Sequence, residues 1–248
     1  MPFCDFHYFS KKLGIQSAAY VLLPEVGEPP FPTLYLLHGY SDDHTVWHRR
    51  TRIEAYVANL PLIVVMPHGG HSFYCDAVEG YPYASAIGEE LPEIIERNFP
   101  AQKDRGGRCL AGLSMGGYGA FKLALTYPDR FAAAVSHSGA LAFGHYPYTW
   151  DGNAYRPEQQ RILGQGYIGG PNDLFAQVEK VDPDLLPALR FDCGTEDFLY
   201  KDNVAYRDHL ESAKIPHEYA EFPGQHNWDY WDEHIQESLE FFQRKMNF

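Results

Sequence analysis

The chain has 248 residues, which is long enough to bury a large core within a single α/β domain. Its hydrophobic share of 45% and charged share of 21% are those of ordinary globular proteins and exclude disorder as the main state. The net charge of −13, without a run of Lys and Arg longer than a pair, excludes a nucleic-acid-binding surface and opposes binding to anionic membranes.

Few sequence features bear on location and redox state. The first residues contain no basic segment leading into an apolar run, and no stretch of about 18 apolar residues occurs in the chain. We therefore expect a cytoplasmic protein, although a secreted form without its signal would have the same sequence. The four cysteines show neither a CxxC pair nor the Cys/His spacing of a metal site. We therefore expect free thiols buried in the core, with a disulfide as the alternative.

Short apolar runs recur along the chain, and helical patterns separate them. Runs of this kind are typical of strands buried on both faces of a parallel sheet. The expected strands are 20–23 (the end of an early strand), 33–37, 62–66, 108–113, 131–136, 188–193 and 217–222, and the expected helices are 83–99, 203–213 and 228–246. Alternating strands and helices predict an α/β fold, a three-layer sandwich with a mostly parallel central sheet.

The helical pattern of segment 83–99 contains one unfavourable residue. Apolar side chains recur at helical spacing and form one buried stripe, while the glutamates between them face outward. Pro92 lies within this pattern, and a proline inside a helix removes a hydrogen bond. We therefore expect a kink or a break at Pro92.

Segment 141–186 interrupts the alternation of strands and helices. It has no clean strand pattern and is rich in Gly, Pro and aromatic residues, the latter including Phe143, Tyr146, Tyr148, Trp150, Tyr155 and Tyr167. Long insertions after a sheet strand often form lids or binding loops. The expected organisation is a single domain, 1–248, with a short cap insertion at about 141–186; a surface excursion without substrate contact is the alternative.

One short motif points to nucleophilic catalysis. Gly112-Leu113-Ser114-Met115-Gly116 matches the nucleophile-elbow pattern G-x-S-x-G. Small neighbours allow the strand before the serine and the helix after it to approach closely. Since strand 108–113 precedes the motif and a helical pattern follows it, Ser114 is predicted to be a catalytic nucleophile. An idle serine in a glycine-rich turn is the alternative.

Two backbone N–H groups are expected to form an oxyanion hole around that serine. The N-terminus of a helix favours negative charge, which makes the Met115 N–H one donor. The second donor should come from the loop after an earlier strand. His38-Gly39-Tyr40 follows strand 33–37, so the Tyr40 N–H is the expected donor. His38 is expected to shape this loop rather than to act as a base.

The expected acid lies downstream of the nucleophile. In the α/β-hydrolase fold the chain order is serine, then Asp or Glu, then histidine. Asp197 lies in the loop after strand 188–193 and is the expected acid. Glu196 is its immediate competitor, whereas Asp192 lies inside the strand and is expected to face away.

The expected base follows the next strand. His226 lies in the loop after strand 217–222, which is the position of the base in this fold. His217 begins that strand and His234 lies within the last expected helix, so both are expected to be structural. With twelve histidines in the chain, position in the fold distinguishes the candidates.

These residues predict ester hydrolysis through an acyl-enzyme. His226 takes the proton of Ser114, which attacks an ester carbonyl, and Asp197 holds the imidazole in the useful tautomer. Water then repeats the cycle and releases the acid. This chemistry requires no metal and no organic cofactor.

Four segments together resemble the esterase D-like family of α/β-hydrolases. They are His38-Gly39-Tyr40, the run Gly112 to Ala120, Gly194-Thr195-Glu196-Asp197 and Pro223-Gly224-Gln225-His226-Asn227-Trp228. Segment 68–76 is similar to the family segment at the rim of the active site, and the resemblance extends over about residues 31–242. The family includes tributyrin-type esterases, S-formylglutathione hydrolases, feruloyl and acetyl-xylan esterases, and mycolyltransferases.

The resemblance implies a Ser114–Asp197–His226 triad with Tyr40 and Met115 as oxyanion donors. The compact length is most similar to the tributyrin-type branch, which favours short acyl chains. S-formylglutathione hydrolases tend to be longer around the oxyanion loop and the cap, so the chain departs from that branch there.

The expected function is therefore that of a serine carboxylesterase on short-chain acyl esters, with acetyl or feruloyl esters of carbohydrates as candidate substrates. A thioesterase of the S-formylglutathione hydrolase type and an acyltransferase are alternatives, as is a non-catalytic binding protein on a hydrolase scaffold. A small-molecule ester is the expected partner, and the sequence does not decide whether the chain forms a homo-oligomer. The expected substrate contacts are aromatic residues at the mouth, which could equally belong to the core: Trp47, Phe73, Tyr74 and Trp228.

Overall fold

The computed structural model describes residues 1–147, 149–150, 153–154 and 156–248, with side chains described outside 148–156. Of the aromatic side chains expected in the insertion, those of Tyr148, Trp150 and Tyr155 therefore lie outside the described residues. The positions discussed below all lie within them.

An eight-stranded sheet forms the centre of the molecule, with the strand order β1-β2-β4-β3-β5-β6-β9-β10. The pairs β1–β2 and β2–β4 are antiparallel, and all other pairs are parallel. This confirms the mostly parallel sheet. The strands are β1 (Phe3–Ser10), β2 (Ile15–Leu22), β3 (Thr33–Leu37), β4 (Ile63–Pro67), β5 (Arg108–Leu113), β6 (Ala133–His137), β9 (Ala188–Gly194) and β10 (Glu218–Phe222), and a separate two-stranded sheet pairs β7 (Thr149–Trp150) with β8 (Asn153–Ala154).

Strand β1 was not expected from the sequence. Its side chains alternate between exposed and half-buried positions, because β1 pairs only with β2 at the edge of the sheet. The central strands β3, β4, β5 and β6 are instead buried along their whole length. Continuous apolar runs therefore identify the centre of this sheet and do not identify its edge.

Helices cover both faces of the sheet and complete three layers. They are α1 (Val46–Arg50), α2 (Ile53–Val57), α3 (Tyr83–Ser85), α4 (Leu91–Asn98), α5 (Met115–Thr126), α6 (Arg156–Leu163), α7 (Leu174–Val178), α8 (Tyr200–Ser212) and α9 (Trp228–Met246). One apolar core contains residues of α1, α2 and α9, and the other contains residues of α4, α5, α7 and α8. The sheet thus buries apolar side chains on both faces.

Pro92 does not break the helical segment in which it lies. A π-helical turn, Ala86–Glu90, joins α3 to α4, and Pro92 lies in the first turn of α4. The α-helical hydrogen-bond pattern changes to a π-helical one in the turn directly before Pro92, which has no N–H to donate. The expected break is therefore wrong, since the segment is helical from 83 to 98, and a kink at Pro92 stays a prediction.

The insertion is held against segment 68–80 by aromatic and polar contacts. The ring of Phe143 stacks on that of Phe73 at a centroid distance of 3.5 Å. The Arg161 guanidinium donates to the backbone oxygens of His71 and Glu79 at 3.2 and 3.0 Å. Its described residues thus pack beside the loop that follows β4.

The turn between β5 and α5 permits no side chain at its two glycines. A Cβ on Gly112 would overlap the backbone carbonyl of Gly116, and a Cβ on Gly116 would overlap that of Leu37. The carboxyl ends of β3 and β5 therefore meet the first turn of α5, and Ser114 lies at this meeting point.

We predict that Gly112→Ala lowers the free energy of unfolding by about 3 kcal/mol, the upper end of the usual cost of an added core methyl group, because this methyl group displaces backbone rather than a flexible side chain. Gly166→Ala is the matched control: Gly166 has a φ of +67° with no atom within 4 Å of an added Cβ. Its cost should be only about 1 kcal/mol, from the left-handed backbone. Urea unfolding measures both, and equal midpoints would contradict the proposed constraint.

Candidate active site

Ser114 lies on a sharp turn at the end of β5. Its φ of 53° is left-handed, which is uncommon for a residue other than glycine. The Ser114 N–H donates to the His137 carbonyl at 3.0 Å, and its own carbonyl accepts from Tyr118 and Ala140 at 3.1 Å each. Backbone bonds on both sides therefore hold the strained residue in place.

His226 is paired with Asp197. The Nδ1 of His226 lies 2.8 Å from Oδ2 of Asp197, whose side chain is fully buried. The other carboxylate oxygen accepts the Leu199 N–H at 2.8 Å. Because a carboxylate only accepts, the proton of the imidazole lies on Nδ1 and leaves Nε2 as the basic nitrogen.

The loops that carry Asp197 and His226 are bonded to each other. The Glu196 N–H donates to the Gly224 carbonyl at 3.0 Å, and the Gly224 N–H donates to the Glu196 carboxylate at 2.6 Å. The Asn227 side chain accepts the Tyr230 N–H at 3.0 Å and so caps α9 directly after His226. Glu196, the competing acid, thus holds the histidine loop and does not contact the imidazole ring in any described hydrogen bond.

A cavity of about 710 Å³ opens above these residues. Ser114 and His226 both line it, and Ser114 is 7% exposed at its base. The lining is mixed in chemistry and consists of Gly39, Tyr40, Ser41, Asp42, Arg50, Leu113, Ser114, Glu196, Phe198, Gln225, His226, Asn227, Trp228 and Trp231. The expected nucleophile and base therefore face one shared space.

The expected oxyanion donors lie at the same end of the sheet. Met115 is the first residue of α5, where backbone N–H groups have no partner within the helix. Tyr40 lines the cavity, and its ring stacks on that of His71 at 4.4 Å. The loop after β3 and the start of α5 thus flank Ser114.

His38 fastens the loop after β3 to the loop after β4. Its Nε2 accepts the Gly69 N–H at 2.8 Å, so its Nδ1 carries the proton and donates to the Gly39 carbonyl at 2.7 Å. Burial lowers the pKa of His38 to about 4. A neutral imidazole with both nitrogens engaged shapes the loop and is not placed to act as a base.

The four aromatic residues expected to contact substrate differ in position. Trp228 lines the cavity, whereas Trp47, Phe73 and Tyr74 are buried and are not among its lining residues. The Trp47 indole N–H donates to the Leu37 carbonyl at 2.9 Å, and its ring packs edge-on against Trp228 at 5.4 Å. The Tyr74 hydroxyl donates to the His38 carbonyl at 3.0 Å. Trp47 and Tyr74 therefore hold the backbone at the end of β3 by hydrogen bonds and do not line the cavity.

Several lining residues had no distinctive sequence signal. Phe198 is 51% exposed, and its ring lies 4.5 Å from the imidazole of His226. Asp42 is half-buried, and burial raises its pKa. Arg50 lies at the edge of the cavity, 6.0 Å from the ring of Trp228. The position of Phe198 directly after the expected acid is the one clue that the sequence offered.

The remaining histidine and carboxylate candidates lie away from the cavity. The Nδ1 of His217 donates to the Ile215 carbonyl at 2.8 Å, and His234 lies within α9 against Glu237. Asp192 faces away from the cavity into the core, as expected, and binds the buried His137. Within the described residues, no group of three or more His, Cys, Asp or Glu side chains is arranged to hold a metal ion.

Comparison with known proteins assigns a family. The Esterase family, described as "Putative esterase", matches residues 10–242. The chain belongs to this family. The acetyl esterase of Caldicellulosiruptor saccharolyticus is 30% identical over 264 residues, which cover 98% of this chain and 99% of that protein.

Solved structures of esterases and serine hydrolases share the fold. The fluorophosphonate-binding serine hydrolase F of Staphylococcus aureus, solved with substrate bound, has a TM-score of 0.85 and 32% identity over 97% of this chain and 98% of that one. The S-formylglutathione hydrolase of Staphylococcus aureus has a TM-score of 0.84 and 31% identity over the same shares, 97% and 98%. The esterase D-like family, the α/β-hydrolase fold and a serine hydrolase that acts on carboxylic esters are thereby confirmed.

We predict that His38 contributes to the loss of stability of this esterase in acid. Between pH 6.5 and about 4 the unfolded chain binds a proton at this imidazole that the folded protein does not, so acidification in this window favours unfolding. His38→Asn should be less stable at pH 7, because the Gly69 N–H loses its acceptor. It should also lose less stability between pH 7 and 4.5 than the unsubstituted protein.

Urea unfolding at the two pH values measures this difference. The pKa values of His44 and His68 are also lowered by burial, so a smaller pH dependence should remain in the variant. His7→Asn, at an imidazole that is 65% exposed, is the control and should change neither quantity. An unchanged pH dependence in His38→Asn would contradict the prediction.

Proposed function

We propose that Ser114, His226 and Asp197 form the catalytic triad of a carboxylesterase that hydrolyses short-chain acyl esters. One observation carries this proposal: a strained serine and a histidine paired with a buried carboxylate at 2.8 Å line the same cavity. The chemistry of each group fits its role. The similar acetyl esterase supports a short acyl group.

The proposed reaction has two halves. Nε2 of His226 takes the Ser114 proton while Oγ attacks the ester carbonyl, and the N–H groups of Met115 and Tyr40 hold the oxyanion. The imidazolium, stabilised by Asp197, gives that proton to the departing alcohol oxygen. Water then enters, loses a proton to His226 and attacks the acyl-enzyme, and Ser114 recovers its proton as the acid leaves.

The residues around His226 suggest where the alcohol part binds. Since His226 must protonate the leaving oxygen, the alcohol has to lie beside its ring. The ring of Phe198 lies 4.5 Å from the imidazole and that of Trp231 lies 4.9 Å from it, and Gln225 and Trp228 also line the cavity. Aromatic surfaces in a cavity that also has polar lining residues suit the aryl or sugar alcohol part of an ester, as in acetyl or feruloyl esters of carbohydrates.

The remaining features of the proposal concern domain, cap and location. We propose one domain in which the insertion at about 141–186 supports the rim, since Arg161 and Phe143 bind the loop after β4. A cytoplasmic location is in keeping with four unpaired cysteine thiols, of which three are buried. None of the described helices has both the length and the apolar character needed to cross a bilayer.

We predict that the protein hydrolyses p-nitrophenyl acetate and butyrate faster than the dodecanoate. Ser114→Ala should reduce kcat by at least about 10⁴-fold, because no nucleophile remains. Asp197→Asn should reduce kcat by about 10³- to 10⁴-fold through the wrong imidazole tautomer. Glu196→Gln tests the competing acid: its amide oxygen can still accept the Gly224 N–H, so kcat should fall far less than in Asp197→Asn. Equal activity in Ser114→Ala would refute the proposed nucleophile.

A thioesterase is the second candidate, because the structure is similar to that of an S-formylglutathione hydrolase. S-formylglutathione and methyl ferulate belong in the same assay series. A kcat/KM for the thioester well above that for every oxygen ester would favour this candidate and leave the triad intact.

We predict that Phe198→Ala raises KM for aryl esters by about 3- to 10-fold, with a smaller effect on methyl esters, because the ring beside His226 would no longer contact the alcohol. Tyr81→Ala is the matched control, since Tyr81 is also 51% exposed but does not line the cavity. Steady-state kinetics on phenyl and methyl butyrate are measured for both variants. If Phe198→Ala had the same KM as Tyr81→Ala for each of the two esters, a role of Phe198 in alcohol binding would be contradicted.

A further inference from the structure

A buried ionic network lies beneath the proposed triad. The carboxylate of Asp192 on β9 binds Nδ1 of His137 at 2.9 Å, the guanidinium of Arg190 at 2.9 Å and the hydroxyl of Tyr230 at 3.0 Å. The other ring nitrogen of His137 lies 2.6 Å from the hydroxyl of Ser238. Asp192, His137 and Ser238 have no exposed surface, so solvent does not weaken these bonds.

The network joins elements that each carry one part of the triad. His137 ends β6, and its carbonyl accepts the Ser114 N–H at 3.0 Å. Asp192 lies on β9, which leads directly to Asp197. Tyr230 and Ser238 lie on α9, which begins two residues after His226. The proposed nucleophile and base are therefore each linked to a partner of this carboxylate, and the proposed acid follows Asp192 along the same strand.

The ring of Tyr230 packs against the loop that carries His226, and so links this loop to Asp192. A Cβ on Gly224 would lie 2.6 Å from the Tyr230 ring, so the backbone of Gly224 rests directly against it. Gly224 in turn exchanges two hydrogen bonds with Glu196, the residue before Asp197. A shift of the Tyr230 ring would therefore move the loops of both His226 and Asp197.

The chemistry of the network favours a charged carboxylate. Burial raises the pKa of Asp192, but the electrostatic interaction and hydrogen bond with His137 and the charge of Arg190 outweigh burial, and the net pKa is lowered. The other titratable groups that interact with Asp192 are Cys193, Tyr230, His234 and Glu237. Apolar residues of similar volume would stabilise such a site as well or better, so stability alone does not account for a buried ion here.

We propose that Asp192 is a positioning residue, whose buried carboxylate holds β6, β9 and α9 so that Ser114, Asp197 and His226 meet in reactive geometry. This inference rests on the triad proposed above. Asp192 acts through His137, Tyr230 and the backbone, and does not touch the substrate. Small displacements of reacting groups cost much of the rate while leaving substrate binding nearly intact.

The test compares Asp192→Asn and Tyr230→Phe with a control at an ion pair far from the site. Asp192→Asn keeps the shape and removes the charge, while Tyr230→Phe keeps the ring on Gly224 and removes one hydroxyl. The control is Glu96→Gln, which removes the charge of the carboxylate that lies 2.6 Å from the Arg108 guanidinium at the opposite end of β5. Thermal unfolding, steady-state kinetics on p-nitrophenyl butyrate and the pH profile of kcat/KM are measured for each.

For Asp192→Asn we expect kcat to fall by about 10- to 100-fold with KM within about threefold, and for Tyr230→Phe a smaller fall of about 3- to 10-fold. In both variants the acid limb of the kcat/KM profile should move to lower pH, because a loosened Asp197 stabilises the His226 cation less. The other charged groups that line the cavity with His226 are Asp42, Arg50 and Glu196, which neither variant changes. Glu96→Gln should lose thermal stability with an unchanged kcat and acid limb.

Two outcomes overturn the inference. In the first, Asp192→Asn folds and behaves like Glu96→Gln, with lower stability but unchanged kcat and acid limb. In the second, Asp192→Asn does not fold and Tyr230→Phe retains the kcat and acid limb of the unsubstituted protein. Ser114→Ala, assayed in the same series, separates this failure from that of the triad, because only an active Ser114→Ala would refute the proposed function itself.

Discussion

At the Ser114 turn, helix α5 approaches the ends of β5 and β3 so closely that neither Gly112 nor Gly116 has room for a side chain. Ser114 lies within this contact and has a left-handed backbone at the start of α5. The proposed nucleophile and one proposed oxyanion donor are thereby placed by packing of backbone against backbone. Every other group of the proposed site is brought to this point by a loop at the carboxyl end of a strand, where the sites of open α/β sheets are found.

Two carboxylates, one on β9 and one in the loop after it, have different partners. Asp197 binds the imidazole of His226, whereas Asp192 binds His137, Arg190 and Tyr230 within the core. In our proposal Asp197 orients the base directly, and Asp192 orients the elements that position nucleophile, acid and base. The proposed reaction would then take place in a solvent-accessible cavity, whereas the carboxylate of Asp192 is buried away from solvent.

Much of the fold and the site could be predicted from the sequence, because the decisive residues lie next to buried strands. β3 and β5 were predicted with their observed bounds, and the chain order of Ser114, Asp197 and His226 follows from strand positions. Edge strand β1 was missed because its half-exposed pattern lacks an apolar run. The break at Pro92 was predicted wrongly, since local propensity does not reveal the π-helical turn that keeps the segment helical. Of the aromatic residues expected at the mouth, Trp228 lines the cavity whereas Trp47 and Tyr74 are buried, because proximity to a motif does not determine which way a side chain packs.

The order of residues after β9 has a consequence for any attempt to change substrate preference. Phe198, at the mouth, stands between Asp197 and Leu199, whose N–H donates to the Asp197 carboxylate. Substitutions of Phe198 can therefore change the side chain, provided that the path of the main chain is kept. Glycine would add freedom to the peptide that orients the acid, and proline would alter its dihedral angles. Selectivity at this position can evolve only through replacements that leave the backbone as it is.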